Sequence, residues 1–382
     1  MPRVKLLTAK EDVAPEHYAL YAELAALRGR VSGPSSVVLH SPALSKPWND
    51  QSEFLHSGTV VEPPLAELAM SATARERDCA YIWNAHAPAA RKGGVAEATL
   101  TAVRDNAPLT GLPPHEGGVV SYTRQLLRNN RVERPLFDAM LQSHGPRWLV
   151  ELTAFISRYA ALAGILNSFE VLPGPDAEPL PVPMPNRAAT AGAVRPPEAS
   201  PRAVLITQRE QVAEAQRGIF DAVAEGRGNV RGPFSVLMYS PELCMRVIEV
   251  SNYLRFGSLV QSNPGELGII ATAREKDCPY VWAAHVPPAR KAGVREEAIV
   301  AVRDRAGLGG LTAEEADVVD YVRQLHRTNR VSQPLFDRLR DRYGVPWLVE
   351  YTALIGHYGM ITAQLNAFEV SRAQEADQLP LT

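Results

Sequence analysis

The run Cys79-Ala-Tyr81-Ile-Trp83-Asn-Ala-His86 returns later in the chain as Cys278-Pro-Tyr280-Val-Trp282-Ala-Ala-His285. Subtracting positions gives 199 for the two cysteines, for the two histidines, and for Glu266 and Glu67 upstream of them. The same offset aligns Gly33-Pro34 with Gly232-Pro233 and Phe169-Glu170-Val171 with Phe368-Glu369-Val370 without a gap. A chain of this kind is a tandem duplication, so each half must fold on one shared plan and each reads the other. The duplication also acts as a filter. Of nine histidines only His86 and His285 match, and of three cysteines only Cys79 and Cys278 match, since Cys244 faces Ser45.

A chain of 382 residues can hold two domains, each able to bury its own core. Apolar residues make up 46% and charged residues 21%, as in ordinary globular proteins. A net charge of −2 with mixed signs leaves no basic stripe for nucleic acid. The cysteines lack the spacing of a disulfide framework or a metal site, which fits a reducing compartment. The start Met-Pro-Arg-Val-Lys-Leu-Leu-Thr has no signal-peptide core, and no run of membrane-spanning length is read. These features predict a cytoplasmic protein without nucleic-acid or membrane partners.

Proline and glycine punctuate a helical periodicity. Residues 14–30 carry Tyr18, Tyr21, Leu24, Ala25 and Leu27 at helical spacing, and Gly33-Pro34 breaks that helix. Residues 35–40 fit a helix or a buried turn. A helix follows over 43–58, and Pro63-Pro64 opens another, since proline is accepted in a first turn. Residues 65–77 and 79–92 read as two helices meeting near Asp78. A short helix over 95–106, a longer one from Pro113-Pro114 to about Asn130, and a short one from Pro135 come next. A long apolar helix spans 146–170. In the second copy Thr312-Ala-Glu-Glu315 is a capping box at the matching helix start. No segment alternates as a strand would, so the fold class predicted is all-α, with two tandem helical domains at 1–171 and 206–370. Residues 172–205 hold nine of the 31 prolines and predict an irregular tether. Residues 371–382 predict a loose tail.

With Cys79 in the first turn of its helix, His86 lies two turns on and shares its face. Glu67 sits on the preceding helix. An antiparallel hairpin would bring carboxylate, thiol and imidazole together in a pocket walled by Tyr81 and Trp83, and likewise Glu266, Cys278 and His285 beside Tyr280 and Trp282. An imidazole held by a carboxylate is suited to general acid–base work near neutrality.

On these residues the chain resembles the carboxymuconolactone decarboxylase family, which includes the alkylhydroperoxidase D-like proteins. The family pattern is a Glu, eleven residues, a Cys, two residues, a second Cys, three residues and a His. Glu67, Cys79 and His86 match the Glu, first Cys and His, as do Glu266, Cys278 and His285; Ile82 and Val281 occupy the second Cys position. The Tyr-x-Trp-x-x-His run looks like the decarboxylase-like branch. The resemblance implies a lyase needing neither cofactor nor metal. It acts on a small carboxylated lactone or enolisable ring compound, with His as proton donor or oxyanion partner and Glu as its orienting base. It also implies a homo-oligomer, either a dimer or a trimer of covalent pseudo-dimers. The Cys-x-x-Cys disulfide cycle is impossible without the second cysteine. A one-cysteine peroxidase regenerated by an outside thiol remains a second reading, and a scaffolding duplicate with vestigial pockets a third.

Each candidate also has a plainer reading. Cys79 and Cys278 fit as small core residues, and Trp83 and Trp282 as core or pocket wall. His86 and His285 fit as satisfied core histidines, Glu67 and Glu266 as helix N-terminal charges. Arg75 and Arg274 fit as structural ion-pair partners or as carboxylate binders. Trp148, Trp347, Tyr159 and Tyr358 read as helix-packing repeats.

Overall fold

The computed structural model describes residues 1–180, 198, 200–371 and 377–380. Within these residues the protein is all-α, with no strand. Repeat 1 runs α1 (Tyr18–Arg28), α2 (Pro34–Val38), α3 (Pro42–Ser57), α4 (Pro63–Glu76), α5 (Ala80–Lys92), α6 (Glu97–Arg104), α7 (Pro114–Asn129) and α8 (Arg134–Ser168). Repeat 2 runs α9 (Arg217–Arg227), α10 (Pro233–Leu237), α11 (Pro241–Asn252), α12 (Ser262–Glu275), α13 (Pro279–Lys291), α14 (Glu296–Arg303), α15 (Ala313–Thr328), α16 (Gln333–Tyr343) and α17 (Val345–Ala367). The extra helix of repeat 2 is a matter of continuity. Gly145, at φ 80° and ψ 169°, breaks α8 where Gly344 separates α16 from α17. The capping box closes as the sequence requires: Glu315 N donates to Thr312 Oγ1 and Thr312 N donates to Glu315 Oε2.

Proline opens α2, α3, α4, α7 and α8 within the first turn, where its missing N–H costs nothing. One real departure from the shared plan lies after α11. Residues Tyr253–Gly257 form a π-helical turn, whereas α3 runs on unbroken through the matching positions. Such turns re-aim side chains and occur often at functional sites. Here the turn carries Arg255.

The apolar cores of the two repeats form one continuous cluster, with α8 packed against α17. The two helices come close at Gly356, where a Cβ would lie 2.7 Å from that of Ala161. Several cross-repeat contacts come in exchanged pairs. Ser41 Oγ donates to Glu350 and Ser240 Oγ to Glu151. Asn130 donates to the Glu275 carbonyl and Asn329 to that of Glu76. Phe137 meets Phe368 edge-on and Phe169 meets Phe336. Each of these contacts has its counterpart with the repeats exchanged, as in an isologous interface, whereas the buried Arg131–Glu369 pair is not repeated at Arg330 and Glu170.

The segments expected to be loose are pinned where they are described. Arg3 N donates to the Phe169 carbonyl and the Arg3 guanidinium stacks on Phe336 of the other repeat. Arg202 repeats this against Phe368 and Phe137. Residues 200–205 are therefore the N-terminal arm of repeat 2 rather than tether. Glu178 accepts from Trp83 Nε1 and Arg104 and exchanges backbone bonds with the Asn84 amide. The matching Asp377 pairs with Arg290, and the Pro380 carbonyl accepts from Arg274. Both tails thus bind back on their own repeats, because each carries a carboxylate and a leucine, Leu180 and Leu379, set to meet them. The rest of the expected tether, 181–197 and 199, and tail residues 372–376 and 381–382 lie outside the described residues.

The helix α8 is long and apolar enough to cross a membrane by length and composition. Its apolar window is nonetheless 89% buried inside the fold. Its partner α17 buries His357, whose two ring nitrogens find no hydrogen-bond partner among the described residues. Burial and the nearby Arg158 and Arg227 charges push its pKa from 6.5 down to about 3. The folded state therefore keeps His357 neutral while the unfolded chain takes up a proton below about pH 6.5. That contribution is intact above pH 6.5 and is lost as pH falls toward 3. At pH 5 the loss is about 2 kcal/mol. Urea titrations at pH 7 and pH 5 should show His357→Leu losing less stability than the wild type by about that amount. Equal losses in the two proteins would refute the assignment.

Candidate active site

The α4–α5 hairpin builds the site in repeat 1. Its turn takes Asp78 into the left-handed region at φ 47°, and Asp277 does the same at φ 47° in repeat 2. Arg75 ties that turn to the end of α6: it pairs with Asp78 at 3.0 Å and donates to the Arg104 carbonyl at 2.8 Å. Arg274 likewise pairs with Asp277 at 3.2 Å. Both guanidiniums are buried in the turn, so neither is placed to bind a substrate carboxylate. The expectation for Arg75 and Arg274 is corrected in favour of their structural reading.

The hairpin brings His86 Nδ1 to 2.8 Å from Glu67 Oε2, and His285 Nδ1 to 2.8 Å from Glu266 Oε2. An ionised carboxylate can only accept, so the bond fixes the ring proton on Nδ1. In the neutral ring Nε2 then carries the lone pair. Tyr159 packs edge-on to His86 at 4.9 Å between centroids, and Tyr358 packs on His285 at the same 4.9 Å. These tyrosines, read from sequence as helix-packing repeats, stand against the imidazoles.

The cysteines are elsewhere. Cys79 and Cys278 precede α5 and α13 as N-cap residues, their carbonyls accepting the first helical hydrogen bonds from Trp83 N and Trp282 N. Cys79 is 1% exposed and Cys278 0%. Burial pushes both thiols up to about 11, with the Ile82 and Val281 amides at the helix starts opposing weakly. Cys244 rises to about 12 for the same reason. At pH 7 such a thiol is thiolate in roughly one molecule in ten thousand. Trp83 and Trp282 are also buried, each 1% exposed, and Trp83 faces Glu178 in the strap.

Repeat 2 opens a cleft of about 270 Å³ beside its dyad. His285, Tyr280, Tyr358, Ile361 and Leu365 line it, together with Arg227, Arg231 and Arg255 from α9, the loop after it and the π-turn. Tyr280 can lie there because Gly232 faces it. At Gly33, with φ 56°, a Cβ would come within 2.6 Å of the Tyr81 hydroxyl, and Gly232 is tighter still. Neither Cys278 nor Trp282 lines the cleft. Self-comparison kept only matching residues and so passed over Arg231 and Arg255, whereas Arg227, which Arg28 matches, was not singled out. Arg255 stands opposite His56, which a filter for identity discards.

In repeat 1 His56 Nε2 meets the Tyr159 hydroxyl at 2.8 Å and its ring lies parallel to His86 at 6.4 Å. In repeat 2 Arg255 Nη2 approaches Glu266 Oε1 at 3.6 Å, so the carboxylate of that dyad also serves a guanidinium. Among the described residues no three His, Cys, Asp or Glu side chains are grouped as a metal ion would require. Neither a search of protein-family models nor a search of curated proteins finds a match for this chain.

Proposed function

We propose that the protein is a lyase of the carboxymuconolactone decarboxylase type, working by acid–base chemistry on a small carboxylated lactone or related enolisable ring compound. The observation that carries the reading is the Glu–His hydrogen bond, formed in both repeats at 2.8 Å between the same atoms. In the proposed reaction the carbon–carbon bond to the carboxylate breaks and carbon dioxide leaves. The electron pair passes through the ring to the lactone oxygen. The imidazolium, charged at Nε2 by a proton from water, then gives that proton to the carbanion and returns to the neutral ring, while Glu67 or Glu266 holds the ring and stabilises its cationic form.

The burial of Cys79 and Cys278 weighs against the one-cysteine peroxidase. Thiol titration of the folded protein should find less than about 0.1 reactive group per chain, and all three cysteines only after unfolding. The Cys79→Ala, Cys278→Ala double variant should keep its lyase turnover within about threefold, as an inert core thiol predicts. Turnover abolished in that variant while it stays folded would transfer the chemistry to the thiols.

The exchanged contacts between repeats support reading the chain as a covalent pseudo-dimer. Three chains would then complete a six-domain ring. Light scattering reporting a monomer would remove the ring and leave the internal pair.

A further inference from the structure

We infer that the two clefts have divided their labour: the cleft of repeat 2 binds a small dicarboxylate through Arg255 and Arg231 beside the His285 dyad, and repeat 1 does not. The inference rests on the reading of the Glu–His clefts as substrate sites, and it deepens that reading by assigning ligand charge to one of them.

Three observations converge. The repeat 2 cleft gathers Arg227, Arg231 and Arg255 around His285. Arg255 is only partly satisfied: Nη2 stands 3.6 Å from Glu266 Oε1, while its Nε is buried and finds no partner among the described residues. A guanidinium presents a planar fork suited to a carboxylate, and a buried N–H without an acceptor is costly until a ligand supplies one. Arg231 is exposed at the rim, so it is available to a second carboxylate.

Repeat 1 lacks this arrangement at the corresponding positions. His56 replaces Arg255 and is already committed to the Tyr159 hydroxyl at 2.8 Å. Ser32 replaces Arg231, although Arg28 matches Arg227 and Arg30 stands where Asn229 does. The difference that matters is thus local to the dyad. An imidazole bonded to tyrosine occupies the place where repeat 2 holds a fixed cation. The π-helical turn Tyr253–Gly257, present only in repeat 2, sets that cation in place.

Isothermal titration of the full chain with malonate and with glutarate, at low ionic strength, tests the division. The dimethyl esters of both serve as neutral controls. One binding event per chain is expected, with no binding of the esters. Arg255→His should weaken it at least tenfold, and Arg231→Gln should weaken it several-fold without touching the buried groups. His56→Arg with Ser32→Arg should add a second event. Two equal events in the wild type, no event at all, or binding unchanged in folded Arg231→Gln and Arg255→His variants would each overturn the inference. The readout is binding alone. Loss of the dicarboxylate site with lyase turnover retained would defeat this inference only. A dicarboxylate site without any lyase turnover would defeat only the reading of the reaction.

Discussion

Replacing His86 and His285 together by asparagine should lower turnover of a small carboxylated lactone by about 10²–10⁴-fold, the usual yield of a positioned general acid. Asparagine keeps a hydrogen-bonding amide near Glu67 and Glu266 but cannot deliver a proton near neutrality. The drop should appear in kcat, since the lost interaction is made in the transition state. Glu67→Gln with Glu266→Gln should give a smaller loss, because the ring keeps a partner at Nδ1 but loses the charge that stabilises its cationic form. A fall in affinity alone would mean that the imidazoles only shape the cleft. If the clefts are as unlike as their arginines suggest, the single variants will differ, with one repeat carrying most of the rate.

The second large effect concerns the joint between the repeats. Glu151 is fully buried and accepts from Thr59 Oγ1 at 2.8 Å, Val60 N at 2.6 Å, Arg147 Nε at 2.9 Å and Ser240 Oγ of the other repeat at 2.7 Å. Glu350 repeats the arrangement with Ser41, Tyr253 and Leu259 N. Glu151→Ala would strand the Ser240, Thr59 and Val60 donors, while the partly exposed Arg147 guanidinium turns to water, and should cost about 2–3 kcal/mol. Urea unfolding reads this directly, and a change below about 1 kcal/mol would show that water satisfies the donors instead. Glu350→Ala should cost a comparable amount, because Ser41, Tyr253 and Leu259 N lose their shared acceptor in the same way.

The helices were legible because proline and glycine mark their ends in both copies, and because no segment alternates. Even the break at Gly145 was implied by separate helices at Pro135 and 146. The Glu–His pairing was legible from the hairpin turn near Asp78. The position of Cys79 was not, since one residue separates an N-cap from a first helical turn and sequence boundaries are not that sharp.

The arms and tails were readable but overlooked. Pro2-Arg3 and Pro201-Arg202 share the offset, with Leu6-Leu7-Thr8 facing Leu205-Ile206-Thr207. Glu178 and Leu180 face Asp377 and Leu379. Proline content made the segment look like pure tether, whereas a few well-placed groups bind it back at both ends. Arg231 and Arg255 of the repeat 2 cleft were hidden for a different reason. Identity between copies finds what both keep, and specificity lies in what they do not share, as at His56 and Arg255.

The central claim is that an imidazole held by a carboxylate delivers a proton to a decarboxylated ring. Turnover of a carboxylated lactone in deuterium oxide, followed by mass spectrometry of the product and by carbon dioxide release, tests it most directly. The account predicts one deuterium at the former carboxyl-bearing carbon or its conjugate position. It also predicts stoichiometric carbon dioxide, with both lost together in the His86→Asn, His285→Asn protein. Carbon dioxide release that persists in that protein, or peroxide consumption that depends on Cys79 and Cys278, would contradict it.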